Sequence, residues 1–234
     1  MDVDDAKRRA GIAACDHVVS GMRVGLGTGS TVHHTIVELA RRRREEGLDV
    51  VGVPTSEATA DLANRLGIPL VELDDVLSLD IVIDGADEFD PNFHLIKGGG
   101  AALLREKVVA QASAAMVVVA DERKRVDVLG SFPLPIEVTP FASRTTVRAI
   151  ARLLGCEVKL RQNNAGVVVT DNGNFIADAM TGATIHEPAQ VERSLLELAG
   201  VVQVGLFVGM CDVVYLAGAD GVERLLNANG RLDN

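Results

Sequence analysis

Short apolar runs recur through the first two-thirds of this 234-residue chain, and each is followed by a stretch of helical periodicity. The runs are Met22–Leu26, Val50–Val53, Asp80–Asp84 (DIVID) and Ala115–Ala120 (AMVVVA). Continuous apolar runs this short suit strands that are covered on both faces. The segments between them predict helices over 5–19, 30–46, 56–66 and 100–114, the third stopped by Gly67. Pro69–Glu72 predicts one more short strand. Strands that alternate with helices build βαβ units, and therefore a parallel sheet with right-handed crossovers.

The pattern changes near residue 132. Phe132–Pro135 (FPLP) reads as punctuation and a domain crossing. Thr139-Pro140 then predicts an N-cap and a first-turn proline for a helix ending near Gly155. Cys156–Leu160 and Gly166–Thr170 predict strands. Asp171-Asn172-Gly173 predicts a hairpin turn into Asn174–Ala179. Pro188–Leu198 predicts a helix and Val201–Val208 a strand. The resulting β-α-β-β-α-β order is that of a small α+β unit with an antiparallel, ferredoxin-like sheet. The tail 212–228 reads as strand, loop and helix returning to the first domain. The expected organisation is α/β: a Rossmann-like, mostly parallel sheet domain over 1–131 plus 206–234, and a smaller α+β domain over 132–205.

Composition narrows the function classes. The formal net charge is −10 and aromatic residues make up 3% of the chain, with no Trp. Neither a basic face for a phosphate backbone nor stacking platforms for bases are supplied, so nucleic acid is not an expected partner. Cys15, Cys156 and Cys211 are isolated, with no CxxC pair. Such thiols argue against a disulfide framework or a zinc site and fit a reducing cytoplasm. The charged N-terminus (MDVDDAKRRAG) has no secretory pattern, and no apolar run is long enough to span a membrane. The arginines at 41–44 are followed at once by Glu45 and Glu46 and read as a solvated helix end.

Four segments could carry chemistry. Gly25-Leu26-Gly27-Thr28-Gly29-Ser30-Thr31 follows a strand and opens a helix. Its glycines let backbone approach a ligand, and free N–H groups at the helix start attract an anion. The spacing is GxGxG, and the next strand ends Val53-Pro54-Thr55-Ser56 without an acidic residue for a ribose hydroxyl. This is a phosphate cradle lacking a dinucleotide signature. A plain tight turn with an N-cap is the alternative.

Asp84-Gly85-Ala86-Asp87-Glu88 begins where a buried strand ends, the edge at which open α/β sheets place ligands. Its carboxylates could bind sugar hydroxyls, move protons or hold a cation, or simply cap a turn. No histidine sits at a ligand spacing, so no metal is expected. Lys97-Gly98-Gly99-Gly100 precedes a helix on which Glu106 shares a face with Ala102, Leu103, Val109 and Ala110. Arg105 and Lys107 project about 100° to either side. A carboxylate beside a buried stripe tends towards a raised pKa, which suits a general base near neutrality. A stripe-edge Glu paired with a nearby cation is the plainer reading. Three successive glycines are unfavourable without a reason, and Lys97 stands before them to pair with a phosphate or oxyanion. Lys124, after the strand Ala115–Ala120, is a further phosphate partner or a solvated loop charge.

Taken in order, GLGTGST (25–31), DGADE (84–88), KGGGAALLREK (97–107), ERKRVDVLG (122–130), FPLPIEV (132–138), VVTDNGN (168–174) and GVVQVGLF (200–207) resemble the A-type ribose-5-phosphate isomerase family over nearly the whole chain. The resemblance implies a cofactor-free enzyme of the non-oxidative pentose phosphate pathway that interconverts ribose 5-phosphate and ribulose 5-phosphate. It implies Glu106 as the base between C1 and C2, with Asp84, Asp87 and Lys97 as further catalytic residues. It implies substrate binding by Thr28, Gly29, Ser30, Thr31, Asp84, Gly85, Ala86, Asp87, Lys97, Gly98, Gly99, Gly100, Lys124 and Lys7. A homodimer or homotetramer in the cytoplasm is implied as well. A sugar-phosphate sensor without turnover is one rival, and a base at position 106 is what such a sensor would not need; another enzyme of similar architecture, such as an amino-sugar-phosphate deaminase or an acyl-CoA transferase, is the other, and its catalytic patterns are not found.

Overall fold

The computed structural model describes residues 3–219 and 221–232. The chain forms two compact units, one made of Met1–Ala86, Arg105–Lys124 and Gly209–Asn234, the other of Asp87–Leu104 and Arg125–Val208.

The first unit is built on a six-stranded sheet. Its order is Gly221–Leu226, Val213–Gly218, Met116–Asp121, Ile81–Gly85, Arg23–Leu26, Val51–Pro54. All neighbours are parallel except the outermost pair, Val213–Gly218 with Gly221–Leu226. Met116–Asp121 and Val213–Gly218 are wholly buried, and Ile81–Gly85 is buried up to its last residue, as their mainly apolar runs require. The chain leaves Arg23–Leu26, pairs Val51–Pro54 on one side, then crosses to place Ile81–Gly85 on the other. That reversal is a topological switch point, and a crevice opens there at the carboxyl ends of the strands.

Helices Val3–Ala14, Ser30–Glu46 and Glu57–Leu66 belong to this unit. Ala6, Ala10 and Ala14 recur every four residues on the first helix and are fully buried. A Cβ on Gly11 would stand 3.0 Å from the Thr31 carbonyl oxygen, so this face meets the second helix at backbone range. Ser56 caps the third helix by accepting the Thr59 N–H, and Gly67 ends it at φ +76°.

The second unit has a four-stranded antiparallel sheet ordered Val201–Val204, Leu134–Val138, Phe175–Ala179, Val158–Leu160. Helices Ser143–Leu154 and Pro188–Leu196 complete a β-α-β-β-α-β unit with the ferredoxin-like strand order. Leu134, Ile136, Val138, Ile150, Ala177, Leu195 and Val204 make its core. A small antiparallel sheet joins Leu206–Phe207, Leu95–Ile96 and Glu88–Phe89. The α/β class with a smaller α+β unit is therefore the fold of this chain. Among the described residues no helix is long and apolar enough to cross a membrane.

Four local expectations are corrected. The tail has no helix over its described residues: Gly221–Leu226 is a strand paired along Val213–Gly218 from Val213↔Leu226 to Gly218↔Gly221. VERLL has ordinary helical propensity, but an open sheet edge offers it a full ladder of backbone bonds. The FPLP segment is not mere punctuation, because Leu134–Val138 is a fully buried central strand with Pro135 inside it. Thr139-Pro140 does not start the next helix, which begins at Ser143 after Ala142 takes a left-handed φ of +53°. Pro69–Glu72 contributes only a single bridge, Gly52↔Leu70.

Candidate active site

The predicted residues divide between the units. Thr28–Thr31, Asp84–Ala86, Glu106, Lys124 and Lys7 lie in the first, Asp87 and Lys97–Gly100 in the second.

In the first unit, the parallel register Leu26↔Ile83 makes Gly27 and Asp84 the next residues on adjacent strands, at the switch point. The Asp84 carboxylate is fully buried and accepts the N–H of Thr28 at 3.1 Å and of Gly85 at 2.7 Å. A Cβ at position 27 would stand 2.2 Å from Asp84 Oδ1 and 2.6 Å from its Cα, so only glycine lets the loop close over this carboxylate.

The Thr28 hydroxyl lies 2.8 Å from the Thr55 hydroxyl and donates to Ser56 Oγ, also at 2.8 Å. Thr59 Oγ1 in turn donates to the Gly27 carbonyl at 2.9 Å. The loop is thus pinned from below by a hydroxyl cluster at the end of Val51–Pro54. The sequence reading of this loop as a phosphate cradle did not include Thr55 and Thr59, although the segment PTSEAT (54–59) is visibly rich in hydroxyls.

Gly29 precedes the helix Ser30–Glu46 at φ +125°. Ser30 is exposed, and Lys7 Nζ donates to its Oγ at 2.9 Å. A groove of about 590 Å³ opens beside them, lined by Thr28, Ser30, His33, Thr59 and Arg65 among others. The helix start and Arg65 line this groove together with Asp4, and Lys7 reaches it through Ser30, so helix-start amides and nearby cations make the surface anion-receptive.

Glu106 lies on the helix Leu103–Ala112 and is 4% exposed. Gly25 permits this packing, since a Cβ there would come within 2.7 Å of Val109 Cγ1. The neighbouring Lys107 is also buried, at 2% exposure, contrary to the expectation that it projects aside. Lys107 falls on the same buried arc as Leu103, Glu106 and Ala110, while Val108 and Gln111 face outward. Lys124 ends a 3₁₀ turn after Met116–Asp121 and is half-buried. Beside it, hydrogen bonds from Arg123 hold the Asp121 carboxyl below the usual carboxylate range.

In the second unit, Lys97 is 2% exposed, its N–H donates to the Gly205 carbonyl at 2.8 Å, and its ammonium stands 5.4 Å from the Phe207 ring centroid. A buried ammonium over an aromatic face is held partly by the ring quadrupole. The glycine loop leaves Lys97 with Gly98 at φ +111° and returns to the helix through Ala101 at φ +60°. Asp87 Oδ2 accepts the Gly99 N–H at 2.7 Å. Arg161, for which the local sequence carries no signal, donates to the Gly98 and Gly99 carbonyls at 2.8 and 2.9 Å. Among the described residues no group of three or more His, Cys, Asp or Glu side chains is placed to hold a metal ion.

An anion-receptive loop at a switch point, a buried carboxylate on the helix Leu103–Ala112 and a buried lysine before a glycine loop place the chain among α/β proteins equipped for small anionic metabolites. The comparisons are more specific. Residues 51–221 match the family model for ribose 5-phosphate isomerase A (phosphoriboisomerase A). The chain is 51% identical over 234 residues to ribose-5-phosphate isomerase A of Rhodopseudomonas palustris (strain TIE-1), covering 97% of this chain and all of that one. A solved structure of ribose 5-phosphate isomerase A from Methanocaldococcus jannaschii is 41% identical, with a TM-score of 0.90 over 95% of this chain and 98% of that one. Another, a D-ribose-5-phosphate isomerase in complex with phospho-erythronic acid, is 38% identical with a TM-score of 0.93, over 97% of this chain and 100% of that one. This chain belongs to the ribose 5-phosphate isomerase A family.

Proposed function

We propose that this chain interconverts ribose 5-phosphate and ribulose 5-phosphate without a cofactor, through an enediolate. The observation that carries the reading is the burial of Glu106, Asp84 and Lys97, three ionisable side chains in the segments DGADE and KGGGAALLREK that resemble the family. Buried charges are costly to keep unless a task retains them.

In this mechanism the phosphate rests on the amides of Thr28–Thr31, with Lys7 and Lys124 as cations. Glu106 removes the C2 proton of the open-chain aldose. The electron pair moves into a C1–C2 double bond, and the O1 charge is met by Lys97 and the Gly98–Gly100 amides. A proton passes from O2 to O1, a transfer for which Asp84 and Asp87 are the candidates. Glu106 then returns its proton to C1, leaving the ketone at C2. Donors preset where charge develops are the largest expected contribution to the rate. We place the enzyme in the cytoplasm, as a homodimer or homotetramer, in the non-oxidative pentose phosphate pathway.

The test is incubation with ribose 5-phosphate in D₂O. Ribulose 5-phosphate carrying deuterium at C1 is the expected product of wild type, and Glu106→Gln should bind substrate yet lose turnover. No product and no exchange from wild type would leave only the sensor or another enzyme of similar architecture. Phospho-erythronic acid, a carboxylate that mimics the enediolate, should inhibit wild type.

A further inference from the structure

Arg161 links the glycine loop to a sheet that lies far from it in sequence. Its Nε and Nη2 donate to the two carboxylate oxygens of Asp178 at 2.8 and 2.6 Å. Its Nη1 donates to the carbonyl oxygens of Gly98 and Gly99 at 2.8 and 2.9 Å. The two charged side chains are only 17% and 15% exposed. Asp178 sits in register with Lys159 on the neighbouring strand, two residues before Arg161, so the ladder sets the spacing of the pair. A guanidinium can hold a carboxylate with one edge and two carbonyls with another, whereas an ammonium has no such fork.

The consequence lies in the peptide planes. No described peptide is cis, and in a trans peptide the N–H points opposite to the C=O. Drawing the Gly98 oxygen to Arg161 turns the Gly99 N–H the other way, where Asp87 accepts it at 2.7 Å. Drawing the Gly99 oxygen to Arg161 likewise fixes the direction of the Gly100 N–H. The Gly98 oxygen also accepts the Ala101 N–H at 3.0 Å, so the first plane has other holds, whereas the second, between Gly99 and Gly100, has no side chain of its own and depends on Arg161 for its orientation.

We propose that Arg161, locked by Asp178, is a positioning residue for the isomerisation: it aims the Gly100 amide at the oxygen that becomes negative in the enediolate. The inference rests on the reading of the 97–100 loop given above. An amide aimed at developing charge serves the transition state more than the bound sugar, so its loss falls on kcat and spares KM.

The experiment compares kcat, KM and thermal midpoint for wild type, Arg161→Met, Arg161→Lys and Asp178→Asn with ribose 5-phosphate. Arg161→Met is expected to lower kcat about 10- to 100-fold, within the range for one misaimed donor, with KM changed less than about threefold. Arg161→Lys keeps the charge but not the fork and should stay at least about tenfold down. Asp178→Asn should lower kcat by a smaller factor, and adding it to Arg161→Met should cost little more, because the two act as a unit. Unchanged kcat in Arg161→Met overturns the inference. So does a parallel fall of kcat and thermal midpoint in every variant, which marks a purely structural ion pair. If Arg161→Met does not fold, Arg161→Lys and Asp178→Asn decide by the same criteria. An inactive wild type would overturn the functional reading and this inference together, whereas an active wild type with an unaffected Arg161→Met overturns this inference alone.

Discussion

The Asp84 carboxylate accepts the backbone N–H of Thr28 at 3.1 Å, and Gly27 has no Cβ because Asp84 occupies that space. Two strand ends therefore share one small volume, and the loop's shape depends on it. Gly27→Ala is expected to cost about 3 kcal/mol, since the clash includes the Asp84 backbone and cannot be relieved by a rotamer change. Urea unfolding of the variant against wild type measures it. A midpoint within error of wild type would show that the loop is free to move.

The hydroxyl cluster beneath the loop makes a separate claim. Thr28→Val keeps the shape but removes the oxygen that meets Thr55, Ser56 and Thr59. Thr55, Ser56 and Thr59 keep their bonds to the Leu26 carbonyl, to one another and to the Gly27 carbonyl, so the cost should be that of lost hydrogen bonds alone, about 1 kcal/mol. The fold should survive, with a lowered melting point and a raised KM for the phosphosugar. Unaltered KM would detach the cluster from anion binding.

Cys15 should be chemically silent. Burial, reinforced by the Glu38 charge, pushes its thiol up to about 12, and it lies behind the helix Ser30–Glu46 with its Sγ 3.6 Å from the Thr35 carbonyl oxygen. Iodoacetamide at pH 8 should label the partly exposed Cys156 first and reach Cys15 only on unfolding. Mass mapping of the adducts checks the order, and early Cys15 labelling would contradict the packing.

His17 gives a pH signature. Burial, then the nearby Arg224 charge, holds its imidazole below the ordinary 6.5, while its Nε2 lies 3.1 Å from the Tyr215 hydroxyl. The unfolded chain thus binds more protons between the lowered value and 6.5, so stability rises with pH across that window. The contribution is complete above about 6.5 and is lost as pH falls towards the folded value. Melting points measured from pH 7.5 down to 5 should drop more steeply for wild type than for His17→Gln. Parallel curves would show that the group carries no such linkage.

Much of the local structure around the candidate site was legible because it is written in adjacent residues. The strand-loop-helix context of Gly25–Thr31 follows from residue order, and the spacing around Glu106 correctly anticipated a carboxylate among buried neighbours. What escaped depends on distant partners. Gly221–Leu226 is a strand because Val213–Gly218 presents an edge, and Leu134–Val138 is central because Val201–Val204 and Phe175–Ala179 flank it. Arg161 was invisible for the same reason: its loop contacts lie 62 and 63 residues away. Local rules also lose when geometry forbids them, as at Thr139-Pro140, where the helix waits for Ala142 to turn through φ +53°.

The first unit is assembled from three separated pieces of chain, and its strand Val213–Gly218 pairs with Met116–Asp121 across the whole of the second unit's main segment. During synthesis that sheet must wait with an open edge until the ribosome has passed the last strand, while Arg125–Val208 is already available to fold. The exposed edge at Met116–Asp121, six residues buried in the finished fold and three of them valine, is thus the point at which a nascent chain is most open to self-association, and a stall or truncation before residue 213 would leave it uncovered.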